Sequence, residues 1–186
     1  MKISNKELID DLVKRTNENL ELINSLKEKS ITDLNKKQTA ESWSALECIE
    51  HLNRYGDFYL PEIKKQFLTA QQVPETTLFK SGLIGNYFAK SVQPLDLTST
   101  SKSNKMKTFK AMNPNGSELS LENVETCIAQ QKEMLAYLEK SRTIHLRKTK
   151  TAISISKVLK LRLGDTFRVV IYHNQRHLQQ AVTAVR

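Results

Sequence analysis

The feature that most constrains this chain is a helical repeat of apolar residues, opened twice by the same capping signature. Ser4 is followed three residues later by Glu7, and Ser44 by Glu47. In each pair the hydroxyl accepts from the N–H three residues on, while the carboxylate reaches back to the first N–H, so both pairs mark helix starts. After Ser4, the residues Leu8, Ile9, Leu12, Val13, Leu20, Ile23 and Leu26 recur at helical spacing, which predicts a first long helix ending before Ser30. A polar linker, Thr32 to Glu41, leads to Trp43. A second helix is expected just after Trp43, with Cys48, Leu52, Tyr55, Tyr59 and Ile63 as its apolar stripe. Pro61 has no N–H to donate, so a kink or restart is expected there. The pattern resumes through Phe67 and fades before Pro74.

A short apolar segment, Leu78 to Ala89, is expected to add a small helix. From Gln93 to Gly116 periodicity disappears into Ser, Thr, Lys and Asn around Pro94, Pro114 and Gly116, a long loop of the kind that carries function or motion. A third long helix follows from about Leu119 to Lys140, turning Leu121, Val124, Ile128, Leu135 and Leu138 inward. Thr143 to Lys160 is basic and partly β-branched and reads as irregular or extended. Asp165 is a candidate N-cap for a last helix running to the C-terminus. No segment reads as a strand, and no internal repeat is visible. The pattern predicts an all-α domain over residues 1–186: an up-and-down four-helix bundle with a long polar loop between its second and third long helices.

At 186 residues one domain can bury a core without disulfides or a structural metal. No apolar run approaches the ~20 residues of a membrane helix, and the N-terminus opens into helical pattern without a signal-peptide core. Cys48 and Cys127 lie in unrelated segments, as reduced thiols do, so a cytoplasmic location is expected. The formal charge of +9, concentrated in Lys102 to Lys110 and Arg142 to Arg162, raises the question of nucleic acid. Neither stretch has interleaved aromatics for base stacking, and no recognition-helix or zinc-finger pattern accompanies them. The basic stretches therefore read as solvated surface, with neither nucleic acid nor membrane as partner.

Chemistry concentrates in the histidines. His173 and His177 are four apart on the last helix, so both rings project from one face, a turn apart. Thr166, Val170 and Ala181 share that face, and the two apolar residues turn it inward. Buried imidazoles without partners are costly, and a shared metal ion removes that cost. On its own an HxxxH pair is more often hydrogen-bonded surface. His51, beside Leu52 and Tyr55 at the edge of the second helix's stripe, can supply a third nitrogen across a bundle. Three neutral imidazoles suit zinc, with nickel, cobalt, copper or iron close behind, and leave a position open for water or substrate. His145, inside the basic Arg142 to Lys150 segment, reads as a surface histidine. Cys48, one turn before His51, reads as a small buried hydrophobe, and Trp43 as a packing anchor at the helix start.

Three blocks carry a resemblance: Trp43-Ser44-Ala45-Leu46-Glu47-Cys48-Ile49-Glu50-His51-Leu52, Leu161-Arg162-Leu163-Gly164-Asp165, and His173-Asn174-Gln175-Arg176-His177-Leu178-Gln179-Gln180. In order and approximate spacing the chain resembles the DinB-like family, which includes YfiT-type metal-dependent hydrolases and thiol-dependent transferases. That resemblance implies a four-helix bundle, His51, His173 and His177 as metal ligands, and a homodimer; with these donors zinc or nickel is the expected ion. It also implies a small-molecule substrate, with a low-molecular-weight thiol as cosubstrate in the transferase version. In such an enzyme the ion lowers the pKa of a thiol or water at neutral pH. Arg176 would orient an anionic group or form a salt bridge. Gln180 would orient the His177 ring or a bound water, and Tyr55 is core or a proton donor. A non-catalytic metal- or ligand-binding module related to stress is the alternative.

Overall fold

The structure is a computed structural model and describes residues 1–94 and 108–186. In chain order its elements are β1 (Lys2–Ser4), α1 (Asn5–Lys27), α2 (Ile31–Asn35), α3 (Ala45–Gln66), β2 (Leu78–Lys80) and α4 (Leu83–Val92), then a 3-10 turn (Lys110–Met112), α5 (Leu121–Lys140), β3 (Lys150–Ile153), β4 (Ser156–Arg162) and α6 (Leu163–Ala184). The chain is mostly helical. Both capping boxes form as the sequence predicts: Ser4 with Glu7 opens α1, and Ser44 with Glu47 opens α3. A third, Ser120 with Asn123, opens α5. One α-helix carries the chain across Pro61, so of the expected kink or restart the restart does not occur. Within the expected polar linker, Ser30 caps the single extra turn α2, which buries Leu34.

The long helices α1 and α3 each pack against both α5 and α6. Their apolar stripes close two core clusters. One joins Leu8, Ile9 and Leu12 of α1 to Ile63, Phe79, Phe167 and Ile171. The other joins Ile23 and Leu26 to Leu46, Ile49, Leu52, Val124 and Leu178. Along α6 the first cluster ends at Tyr172 and the second begins at Leu178. His173 and His177 therefore sit where the apolar packing is interrupted. Among the described residues, no helix is long and apolar enough to cross a membrane.

The structure corrects the strand-free reading in two places. β1 and β2 pair antiparallel, Ile3 opposite Phe79, and the pairing buries the Phe79 ring completely. The apolar segment Leu78 to Ala89 is thus split: its first residues are a strand and α4 starts only after Gly82. β3 and β4 form a second antiparallel pair with Thr151 opposite Leu161 and a register shift after Ala152, turning Thr151, Ile153 and Leu161 inward. Thr143 to Lys160 is accordingly irregular up to Thr149 and mostly extended from Lys150. The polar segment Gln93 to Gly116, including the basic stretch from Lys102, lies outside the described residues between 95 and 107. In the second basic stretch, Arg142 is ion-paired on the surface with Asp10 and Glu139.

Asp165 is the third correction. The last helix begins at Leu163 with Arg162 at the N-cap, so Asp165 caps a different helix. Its carboxylate accepts from the Ser81 hydroxyl and, at 2.8 Å, from the Gly82 N–H at the start of α4. Arg168, one turn on, donates to Asp165 at 3.3 Å and to Asn86 at 3.2 Å. A Cβ at Gly85 would lie 2.5 Å from the Asp165 carboxyl carbon, so α4 approaches α6 this closely only with glycine there. This junction sets α4 alongside α6, where it walls the site.

Candidate metal centre

The capping box at Ser44 fixes the phase of α3 so that His51, seven residues on, faces the interior, 2 % exposed. On α6 the inward face is that of Thr166, Val170 and Ala181, all buried, and His173 and His177 project from it as their spacing requires. The three rings converge: their candidate ligand nitrogens all lie within 4.8 Å of one another. Ring centroids are 5.0 Å apart for His51 and His173, 4.7 Å for His51 and His177, and 4.6 Å for His173 and His177.

Hydrogen bonds decide which nitrogens face the centre. His51 Nδ1 lies 2.6 Å from the Met112 carbonyl oxygen. A carbonyl only accepts, so Nδ1 carries the proton and Nε2 keeps a lone pair. His177 Nδ1 lies 3.0 Å from Gln180 Oε1 and is protonated for the same reason, which leaves its Nε2 bare. Gln180 thus orients the His177 ring, as the sequence suggests. His173 Nε2 points at His51 Nε2 from 3.3 Å, while His173 Nδ1 has no partner among the described residues. Two imidazole nitrogens on one ion at ~2.05 Å with tetrahedral angles would be about 3.3–3.4 Å apart. The observed separation fits that geometry.

All three rings are neutral at pH 7. Burial pushes His51 down to about 4 and His177 to about 3. It takes His173 well below its ordinary value, with the neighbouring rings and Arg176 adding to the effect. Neutral imidazole is the form that binds a metal, so no proton has to leave before an ion enters. The set is therefore chemically complete for a divalent ion: three converging nitrogens, two with tautomers fixed by a second hydrogen bond, and no carboxylate among them.

Around the histidines the sequence-derived neighbours fall into place. Trp43 packs its ring on His51 at 4.8 Å and on His177 at 5.8 Å, an anchor for the ligand rings as well as for the helix start. Tyr55 lies 4.9 Å from His51 and 4.4 Å from His173, ring to ring. Arg176 donates to the Ser91 carbonyl of α4. Cys48 is wholly buried and its thiol is pushed up to about 12 by desolvation, so it is core and no nucleophile. His145 lies in the turn before β3, away from the cluster.

Sequence reasoning missed the walls. A cavity of about 140 Å³ lies over the three histidines, lined also by Phe88 and Val92 of α4, Ile153 and Leu161 of the β3–β4 hairpin, and Val170 of α6. Apart from Val170, already on the histidine face of α6, none of these carries a local signal of function; only the long-range packing of hairpin and α4 brings them to the site.

A mostly helical chain with a three-histidine cluster at the head of a mainly apolar cavity defines a class of candidate metalloproteins. The DinB superfamily model matches residues 11–181, and the chain belongs to that superfamily. No curated protein and no solved structure matches it.

Proposed function

We propose that His51, His173 and His177 hold a divalent metal ion, zinc or nickel, and that the protein is a metal-dependent enzyme, a thiol-dependent S-transferase or a hydrolase. The reading extends to the fold, taking α1, α3, α5 and α6 as an up-and-down four-helix bundle around this centre. One observation carries it. The Nδ1 atoms of His51 and His177 are both engaged outward, which leaves Nε2 lone pairs converging on one point beside the Nε2 of His173, 3.3 Å from that of His51. Without a cation, the Nε2–H of His173 would donate to His51 Nε2 and leave the Nε2 lone pair of His177 unused at the same point.

When bound, the ion would supply Lewis acidity to a coordinated thiol or water and make a nucleophile of it near neutral pH. The chain's own residues do the rest. Met112 and Gln180 hold two ligand rings in register, and the tilted Trp43 ring packs against them. The apolar walls would limit bulk water at the reacting face, and Tyr55, ring against His51 and His173, would give a proton to a leaving group.

The test is elemental analysis of protein purified without a histidine tag, followed by a screen of thiols and electrophiles. Chelation should stop either activity, and withholding thiol should stop only a transferase. Turnover that survives complete metal removal would overturn the reading.

A further inference from the structure

The cavity over the histidines says what kind of molecule reacts there. Its volume is about 140 Å³, close to the ~150 Å³ of an apolar protein cavity that holds one benzene. Phe88, Val92, Ile153, Ile155, Leu161 and Val170 supply much of its apolar wall. Several polar groups on the same wall are already committed. Tyr59 Oη accepts from the Ser154 N–H at 3.3 Å and lies 3.4 Å from its hydroxyl, and the Arg176 guanidinium donates to the Ser91 carbonyl. A ligand rich in hydroxyls, amides or charges would give up its water there without recovering hydrogen bonds, at a cost that scales with each group. An apolar body loses nothing by the same transfer and gains with every methylene buried.

We infer that the site binds a compact, predominantly apolar molecule, about the size of one aromatic ring or a short alkyl chain, with a single polar head directed at His51, His173 and His177. The direction of the head rests on the metal-centre reading; the apolar body does not. The histidines, α4 and the β3–β4 hairpin all line the cavity. A molecule held there presents one end to the coordinating nitrogens and lies with its tail between Phe88 and Ile153. A large polar substrate would find too little room there and, among the described residues, mainly apolar walls.

Two measurements separate this inference from the reading beneath it. In the first, metal-free protein is titrated with benzene and followed by the methyl NMR signals of Val170, Ile153 and Leu161. Saturable shifts that disappear in the Ile153→Arg variant, whose fold is checked by circular dichroism, are expected. In the second, cobalt-loaded protein is titrated with acetate, butanoate, hexanoate and 6-aminohexanoate, following the visible cobalt spectrum. Affinity should rise by up to roughly fourfold per methylene from acetate to hexanoate, and the ammonium of 6-aminohexanoate should cancel most of that gain. Absence of benzene binding, or a carboxylate series that is flat or led by 6-aminohexanoate, would overturn the inference. Benzene binding to a protein that takes up no cobalt would keep the apolar class and overturn the metal centre instead.

Discussion

Replacing Asp165 with alanine tests how the site's wall is held. The carboxylate is 1 % exposed and its partner Arg168 5 %. Three donors converge on it: the Ser81 hydroxyl, the Gly82 N–H at 2.8 Å and the Arg168 guanidinium at 3.3 Å. Alanine removes the acceptor and leaves a buried cation whose remaining partners among the described residues are neutral: Asn86, Ser81 and the Tyr172 ring. Breaking a buried pair in this way costs about 3–5 kcal/mol, a large part of the ~5–15 kcal/mol that holds a typical domain. For a chain of this length each kcal/mol moves the midpoint by roughly 2–4 °C, so Asp165→Ala should melt about 10 °C below the parent by calorimetry. The double variant Asp165→Ala with Arg168→Met removes the stranded charge as well and should recover part of the loss. A drop of under 2 °C in the single variant, or a double variant no better than it, would refute the claim that this pair anchors α4.

Gly164→Ala places a Cβ 2.7 Å from the completely buried Phe79 ring; overpacking of about 1–3 kcal/mol is expected, read as a lower urea midpoint, and an unchanged midpoint would contradict the packing. Cys48 and Cys127, both buried with thiols pushed up to about 12 by desolvation, should be silent to a thiol reagent in native protein at pH 8.5 and react in denaturant; a native protein that reacts at once would show that one of them is exposed. Gln180→Ala removes the acceptor from His177 Nδ1 and should weaken zinc affinity about 10–100-fold in a competition titration with a chelator, whereas an unchanged affinity would remove Gln180 from the site's support.

What was legible in the sequence was local. The capping boxes at Ser4 and Ser44 satisfy helix-end donors with residues three apart, so they identify themselves without a fold. The cap of α5 was harder to read because Asn123 stands where Glu or Gln usually completes the box. The histidine pair on α6 was visible through its spacing of four, and His51 through its place on a phased stripe. The hidden parts depend on contacts between distant segments. Met112 reaches His51 across 61 residues and Gly82 reaches Asp165 across 83. Asp165 resembles a cap for its own helix because it lies near the start of one, and only the approach of α4 gives it another helix to cap. The strands β1 and β2 are three residues each, too short for alternation to stand out from a helical pattern.

The central claim is that three named nitrogens bind one ion in a fold that does not depend on it. Isothermal titration of zinc into untagged, metal-free protein, run alongside the His51→Ala and His173→Ala variants, measures it directly. The account predicts one tight site per chain in the parent, its loss in both variants, and helical circular dichroism retained throughout, because the apolar clusters on either side of the histidines hold the fold. Zinc binding that survives both substitutions, or a parent protein that binds no zinc or nickel, would contradict it.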